Sequence, residues 1–263
     1  MDTAETILIV FLGAQAAGAL AFGIFAFAGR GPDDTVFLAC LRAVATIYAR
    51  VVHRARLIGP LPDPLPAEGA GILVSNHLSG VDPVILSIVT KRRVRFLMAR
   101  EYYETPFLHG MVSRMGCIPV NRDGNDLGAT KAALRALRDG EIIGIFPQGG
   151  IREADGSLEG KSGVALLALR TGAPVFPFRV EGSPNIHSVF RAVLTPSRVT
   201  VRYGSPIRFA ASGEGKPSRK ELEEVTSRIL GAIEELGKDV TGSGSEGSAA
   251  AREPARESAR EAL

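Results

Sequence analysis

The strongest constraint on this chain of 263 residues is an apolar run near its start. From Ile7 to Ala28, 22 residues carry a single polar side chain, Gln15. As a helix the run would extend about 33 Å at ~1.5 Å per residue, enough to cross a hydrocarbon core of ~30 Å. A cleaved signal peptide would need a basic leader and a shorter apolar stretch, but the preceding residues hold Asp2 and Glu5 and no base. Residues 1–30 are therefore expected to form a membrane anchor, either a single pass or embedded in one leaflet. Beyond the run, Arg30, Arg42, Arg50, Arg54 and Arg56 outnumber Asp33 and Asp34. The positive-inside rule then places the rest of the chain on the cytoplasmic side of the cell membrane.

Residues 31–56 come next. Between Asp33 and His53, Phe37, Cys40, Leu41, Val44, Ile47, Tyr48 and Val51 recur at helical spacing, with arginines on the other face. Such a helix either packs on its own domain or lies in a lipid interface. Pro60, Pro62, Pro64 and Pro66 follow as a short extended linker. Across residues 57–240, apolar runs alternate with amphipathic stretches. The runs predict strands at Gly71–Ser75, Val94–Ala99, Cys117–Asn121, Ile142–Phe146, Val175–Val180 and Val199–Tyr203. The amphipathic stretches predict helices at Val84–Thr90, Leu127–Arg138, Gly163–Arg170 and Ser218–Leu236. This alternation argues an α/β domain with a mostly parallel or mixed sheet flanked by helices. Residues 241–263 hold Ala-Arg-Glu repeats among Gly and Ser, with Leu263 the only large apolar residue, and are expected to be disordered.

Composition removes several function classes. Cys40 and Cys117 cannot build a disulfide framework, and neither belongs to a Cys-x-x-Cys pair. His53, His77, His109 and His187 show no ligand spacing for zinc, so no metal is expected. A net charge of +3 with no accompanying motif gives no support for nucleic acid binding.

The chemistry is concentrated in Ser75-Asn76-His77-Leu78-Ser79-Gly80-Val81-Asp82-Pro83. A strand runs into Asn-His, a Ser-Gly turn follows, and Asp-Pro suits the N-cap and first position of a helix. Such a turn could fold Asp82 back onto His77. A carboxylate on one imidazole nitrogen fixes the tautomer and leaves the other as a base. With no nucleophilic Ser or Cys motif nearby, the pair suits deprotonation of an incoming hydroxyl that attacks an ester or thioester. The bland alternative is a satisfied core histidine beside an ordinary helix cap.

The remaining motifs bear on that choice. Asn76-His77-x4-Asp82 resembles the first block of the PlsC-like lysophosphatidic acid acyltransferase family. Gly116-Cys117-Ile118-Pro119-Val120-Asn121-Arg122 is similar to its second block, Gly-x-Ile-x-Val-x-Arg. Phe146-Pro147-Gln148-Gly149-Gly150-Ile151-Arg152 is similar to its third, Phe-Pro-Glu-Gly-Thr-Arg. Lys161-Ser162-Gly163 and Ala173-Pro174-Val175-Phe176-Pro177 complete the set in family order. The third block departs from the pattern: Gln148 stands for Glu, Gly150 for Thr, and Arg152 is displaced by one position.

The resemblance implies that His77 is the general base, that Asp82 orients it, and that Arg122 contacts the acceptor's phosphate. Arg100 matches a position where the family often has a phosphate-contacting Lys, and Gln148, Gly149 and Gly150 would bind the acceptor. It further implies acyl transfer from acyl-CoA or acyl-acyl carrier protein, as co-substrate, to the sn-2 hydroxyl of 1-acyl-glycerol-3-phosphate, with no cofactor. Its partners would be the lysophospholipid, the acyl thioester, membrane lipid and, for a carrier-borne donor, acyl carrier protein. Another lysolipid acceptor, or a non-catalytic lipid-binding protein on the same fold, are the alternatives. Lys91, Arg92, Arg93, Arg95 and Arg100 put five bases within ten residues, either a solvated turn or contacts for anionic lipid heads.

Overall fold

The computed structural model describes residues 35–60, 64–121, 126–148, 162–186, 189–212 and 215–242, with the isolated helical residues 15, 18, 19, 22 and 23. The Ile7–Ala28 run, apart from those five positions, and the tail beyond residue 242 lie outside the described residues. Among the described residues no helix is long and apolar enough to cross a membrane.

Seven strands form one sheet: β1 (Arg56–Ile58), β2 (Gly71–Ser75), β3 (Val94–Ala99), β4 (Ile118–Val120), β5 (Ile142–Ile145), β6 (Val175–Glu181) and β7 (Thr200–Tyr203). Their order is β1-β7-β6-β2-β5-β3-β4. Every neighbouring pair is parallel except β6–β7, so β1 and β7 run against the other five. The central strand β2 is buried along its whole length, which fits a strand covered by helices on both faces.

The helices are α1 (Val36–Val51), α2 (Asp82–Ser87), α3 (Arg100–Tyr103), α4 (Pro106–Arg114), α5 (Leu127–Arg138), α6 (Gly163–Thr171), α7 (Val189–Leu194) and α8 (Arg219–Gly242). Period-two alternation along the strands divides the core. Ile72 and Val74 of β2, with Ile143 and Ile145, meet Ala133, Ala136, Ala165, Ala168, Ile229 and Ile233 from α5, α6 and α8. Leu73, Phe96, Phe176 and Phe178 face the other way, onto Ala49, Val81, Ile85, Leu86, Val112 and Ala192. The product is a three-layer sandwich.

Three expectations change. α1 spans Val36–Val51 with Thr35 as N-cap, its hydroxyl accepting from Leu38 N–H at 3.4 Å. It packs through Leu38, Ala39, Ala43 and Ala49, while Val36, Phe37, Val44, Ile47 and Val51 are exposed. The small-residue face lets α1 approach α2 and the sheet closely, which turns most of the larger apolar face outward. The predicted helix Val84–Thr90 instead begins at Asp82 and ends at Ser87. Val81 is its N-cap, so Asp82 is not a cap, because its carboxylate is used elsewhere. The cluster Lys91–Arg100 is mostly committed internally. Arg92, 6% exposed, binds the carbonyls of Gly69 and Gly140, Arg93 pairs with Glu141 at 3.0 Å, and Arg95 pairs with Glu141 and with the Gly116 carbonyl.

Candidate active site

β2 delivers Asn76 and His77 to the rim where the central parallel strands end. Asn76 is buried and clamps the neighbouring strand with both ends of its amide. Its Nδ2 donates to Val180 O at 2.8 Å, and its Oδ1 accepts from Val180 N–H at 2.7 Å. This extends the β2–β6 ladder by a side chain and fixes where the next residue starts.

His77 is then held by three contacts. Its backbone N–H donates to Gln148 Oε1 at 2.9 Å. Its ring stacks on Phe146, with centroids 4.0 Å apart and planes at 18°, and Phe146 stacks on Phe96 in turn. Gly144 makes that stack possible, because a Cβ there would come within 2.4 Å of the Phe96 ring. On its edge, Nδ1 lies 3.0 Å from Asp82 Oδ2. A carboxylate can only accept, so Nδ1 carries the hydrogen and Nε2 is left as the basic nitrogen.

Asp82 is fully buried. Its Oδ2 accepts from Leu78 N–H at 2.7 Å and from Ser79 N–H at 2.8 Å, besides His77. The turn Leu78–Val81 thus wraps the carboxylate, and Asp82 N–H closes it onto the Ser79 carbonyl at 3.1 Å. Backbone donors of this kind stabilise an ionised carboxylate in place. Asp82 Oδ1 and the buried Ser79 hydroxyl have no hydrogen-bond partner among the described residues. Both belong to the same turn, and a buried polar atom of that kind requires a water or a ligand atom.

Other expected site residues fall differently. Arg100 begins α3 at the end of β3, half-exposed, with Nε donating to Asn121 Oδ1 at 2.6 Å. Glu104 and Asp126 stand 3.4 and 4.0 Å from its guanidinium. Asp126 caps α5, and backbone N–H groups of Ala129 and Asn121 hold its carboxyl below the usual carboxylate range. Arg122, Gly149 and Gly150 lie outside the described residues. Gln148 supports the His77 backbone, a contact that its expected part in acceptor binding did not foresee. The clamp by Asn76 and the stacking by Phe146 were missed as well. Their sequence signal was only their adjacency to His77 and Gln148.

His53 is buried and fully partnered. Its Nδ1 meets Ser197 Oγ and its Nε2 meets Tyr48 Oη, each at 2.7 Å, and Tyr48 donates onward to Val193 O at 2.7 Å. It ties the end of α1 to α7 and β7, and burial holds it below the usual imidazole value, with the Asp82 charge acting the other way. Among the described residues no group of three or more His, Cys, Asp or Glu side chains could hold a metal.

The chain is also similar to known proteins in sequence and fold. A family model described as Acyltransferase matches residues 61–181. A 1-acyl-sn-glycerol-3-phosphate acyltransferase of Bacillus subtilis is 24% identical over 173 residues, covering 65% of this chain and 83% of that one. Another from Borreliella burgdorferi is 28% identical over 123 residues, 46% of this chain and 49% of the relative. The crystal structure of the 1-acyl-sn-glycerophosphate acyltransferase PlsC from Thermotoga maritima superposes with a TM-score of 0.60, covering 92% of this chain and 98% of that one. At 18% identity it is a likeness of fold alone. With these matches beside its ordered sequence blocks, the chain is similar to the PlsC-like 1-acyl-sn-glycerol-3-phosphate acyltransferase family and is an acyltransferase.

Proposed function

We propose that the chain transfers a fatty acyl group from acyl-CoA or acyl-acyl carrier protein to the sn-2 hydroxyl of 1-acyl-glycerol-3-phosphate. The observation that carries this reading is His77, whose Nδ1 is engaged by buried Asp82 and whose Nε2 is left as a base. Nε2 takes the acceptor's hydroxyl proton as the oxygen attacks the thioester carbonyl. The imidazolium is stabilised by Asp82 while the tetrahedral intermediate forms. The C–S bond then breaks, and the leaving thiolate takes the proton from His77. The products are an ester and a free thiol, and the enzyme carries no acyl group at any stage. Neither a metal nor a resident cofactor is needed for this chemistry. Arg122 is the proposed phosphate contact and Arg100, at the end of β3, a second one, since a guanidinium can fork onto a phosphate.

Membrane attachment belongs to the same proposal. Ile7–Ala28 would anchor the chain to the cell membrane with the sheet on the cytoplasmic side, and the outward Val36, Phe37, Val44, Ile47 and Val51 of α1 would lie at the lipid interface. Such attachment would bring the base to where an amphiphilic acceptor resides. The departure of Gln148 from the family's Glu favours a second acceptor reading, another lysolipid headgroup. One experiment decides between them. Purified chain in detergent is offered a panel of lysolipids with each donor, and products are identified by mass spectrometry. Phosphatidic acid as the dominant product is expected. No acyl transfer to any lysolipid overturns the proposal, and a different dominant product replaces the acceptor.

A further inference from the structure

We propose that Arg54, Arg56 and Arg198 form an anion site for a phosphate ester, on the same rim of the sheet as His77. The three arginines, with Val199 and Thr200, line an open cleft of about 530 Å³. None of their guanidinium groups has a hydrogen-bond or ion-pair partner among the described residues. The nearby carboxylate, Glu181 opposite Thr200 in the ladder, is spent on Arg179 at 2.9 Å and Arg202 at 3.5 Å. Three unspent, always-charged forks around one cleft match the donor geometry of a phosphate.

The backbone that carries these arginines is specially built. Arg54 has φ +44°, the one positive value at a non-glycine among the described residues. It is held there by Val199 N–H on the His53 carbonyl and Arg56 N–H on the Val199 carbonyl, each at 2.9 Å. Gly182 has φ +75° and presses on the Arg198 carbonyl, where a Cβ would stand 2.2 Å away. The left-handed residue closes the end of α1, where Ala55 N–H returns to the Ala49 carbonyl at 3.0 Å, and so fixes how the chain enters β1 with Arg54 and Arg56 exposed.

Topology gives the placement. Continuing the β2–β6 register puts His77 level with Val180. Val180 pairs with Val201, Glu181 with Thr200, and Thr200 with Arg56. Because β7 and β1 run against β2, their starts share the rim where β2 ends. β1 is three places from β2, so at ~4.8 Å per strand Arg56 is about 14 Å from the backbone of His77. Two phosphates fit that distance. One is the phosphate end of a CoA donor, which a long flexible arm separates from the thioester. The other is the headgroup of an anionic lipid, since exposed Val51, Leu57 and Ile58 flank the cleft in sequence. The donor assignment rests on the acyl-transfer proposal, whereas the anion site does not.

The test uses the full chain in zwitterionic detergent for CoA titration by calorimetry. A second arm floats the chain with phosphatidylcholine vesicles with and without phosphatidylglycerol. The variants are Arg54→Gln/Arg56→Gln/Arg198→Gln together, His77→Ala, and a control neutralising exposed Lys216, Arg219 and Lys220. The triple arginine variant should lose about tenfold or more in affinity for at least one probe at unchanged melting temperature. The control and His77→Ala should bind as wild type. Loss toward CoA assigns donor phosphates, and loss toward phosphatidylglycerol vesicles alone assigns a lipid headgroup. Wild type that binds neither probe, a triple variant within twofold of wild type on both, or an equal loss in the control overturns the site. Wild type that binds CoA but acylates no lysolipid overturns the proposed reaction and leaves the anion site standing.

Discussion

The two rims of the sheet carry similar charge and use it in opposite ways. Where β2, β3 and β5 begin, Arg92, Arg93 and Arg95 are spent on Gly69, Gly140, Gly116 and Glu141. These contacts staple the loops between α-helices and strands. Where β2 and β6 end, His77 keeps a nitrogen free, and among the described residues Ser79 and Asp82 hold buried atoms without partners and the side chains of Arg54, Arg56 and Arg198 are unpaired. In the sequence, the first rim has the denser run of bases and looks the better candidate for anionic lipid. The fold reverses that ranking, because a guanidinium binds a ligand only with donors its own chain has left unspent.

Breaking the second rim should cost activity before stability. His77→Ala is expected to lower acyl transfer ~10²–10⁴-fold in steady-state assays while the melting temperature stays close to wild type, since the side chain is at the rim. Asp82→Asn should cost nearly as much, because an amide would present a donor to the Leu78 and Ser79 N–H groups or to His77. Near-normal turnover in folded His77→Ala protein would remove the catalytic assignment.

Breaking the first rim should do the reverse. Arg92→Ala leaves the Gly69 and Gly140 carbonyls without their charged donor and should destabilise the fold by about 2–3 kcal/mol in denaturant titrations. Its turnover per folded molecule should stay within about twofold of wild type. Asn76→Ala sits between the two cases. It strips both partners from Val180, costing about 2 kcal/mol, and it also loosens the strand end that positions His77, so stability and turnover should fall together.

The smallest effect concerns His53, which burial keeps neutral in the folded chain. Its folded value lies below the unfolded value of ~6.5, so the unfolded state binds the extra proton first as pH falls. Stability from this group is therefore complete above about pH 7 and declines as pH falls toward the folded value. Between pH 7.5 and 5.5, His53→Gln should show a smaller drop in melting temperature than wild type, although it starts lower. An equal drop would show that other groups carry the acid sensitivity.

Much of this architecture was legible along the chain. The strands Gly71–Ser75 and Val94–Ala99 and the helix Leu127–Arg138 begin and end where apolar periodicity places them. In each, the burial pattern is a property of consecutive residues. β1 was missed because three exposed residues, Arg56–Ile58, carry no periodicity and become a strand only by pairing with β7. α4 was not among the expected helices, although Pro106 sits at its start as a helix-opening residue. α1 was placed correctly, but periodicity left open whether its larger apolar face packs inward or turns outward. Close packing through alanine is decided by what the neighbouring helix presents, and hydrophobicity alone points the larger residues inward.

The same division runs through the site. The sequence by itself determined that His77 and Asp82 share one short turn, because strand, Ser-Gly and Asp-Pro are local instructions only five residues apart. It likewise determined the order of the blocks that relate the chain to its family. Only the tertiary structure decided that Asn76 clamps Val180, 104 residues away, and that Gln148, 71 residues away, holds the His77 backbone. Only the antiparallel placement of β7 brought Arg54, Arg56 and Arg198 to the rim of the base. Contacts between residues far apart depend on strand order and register, which are set by the burial of the whole sheet between its two helical layers.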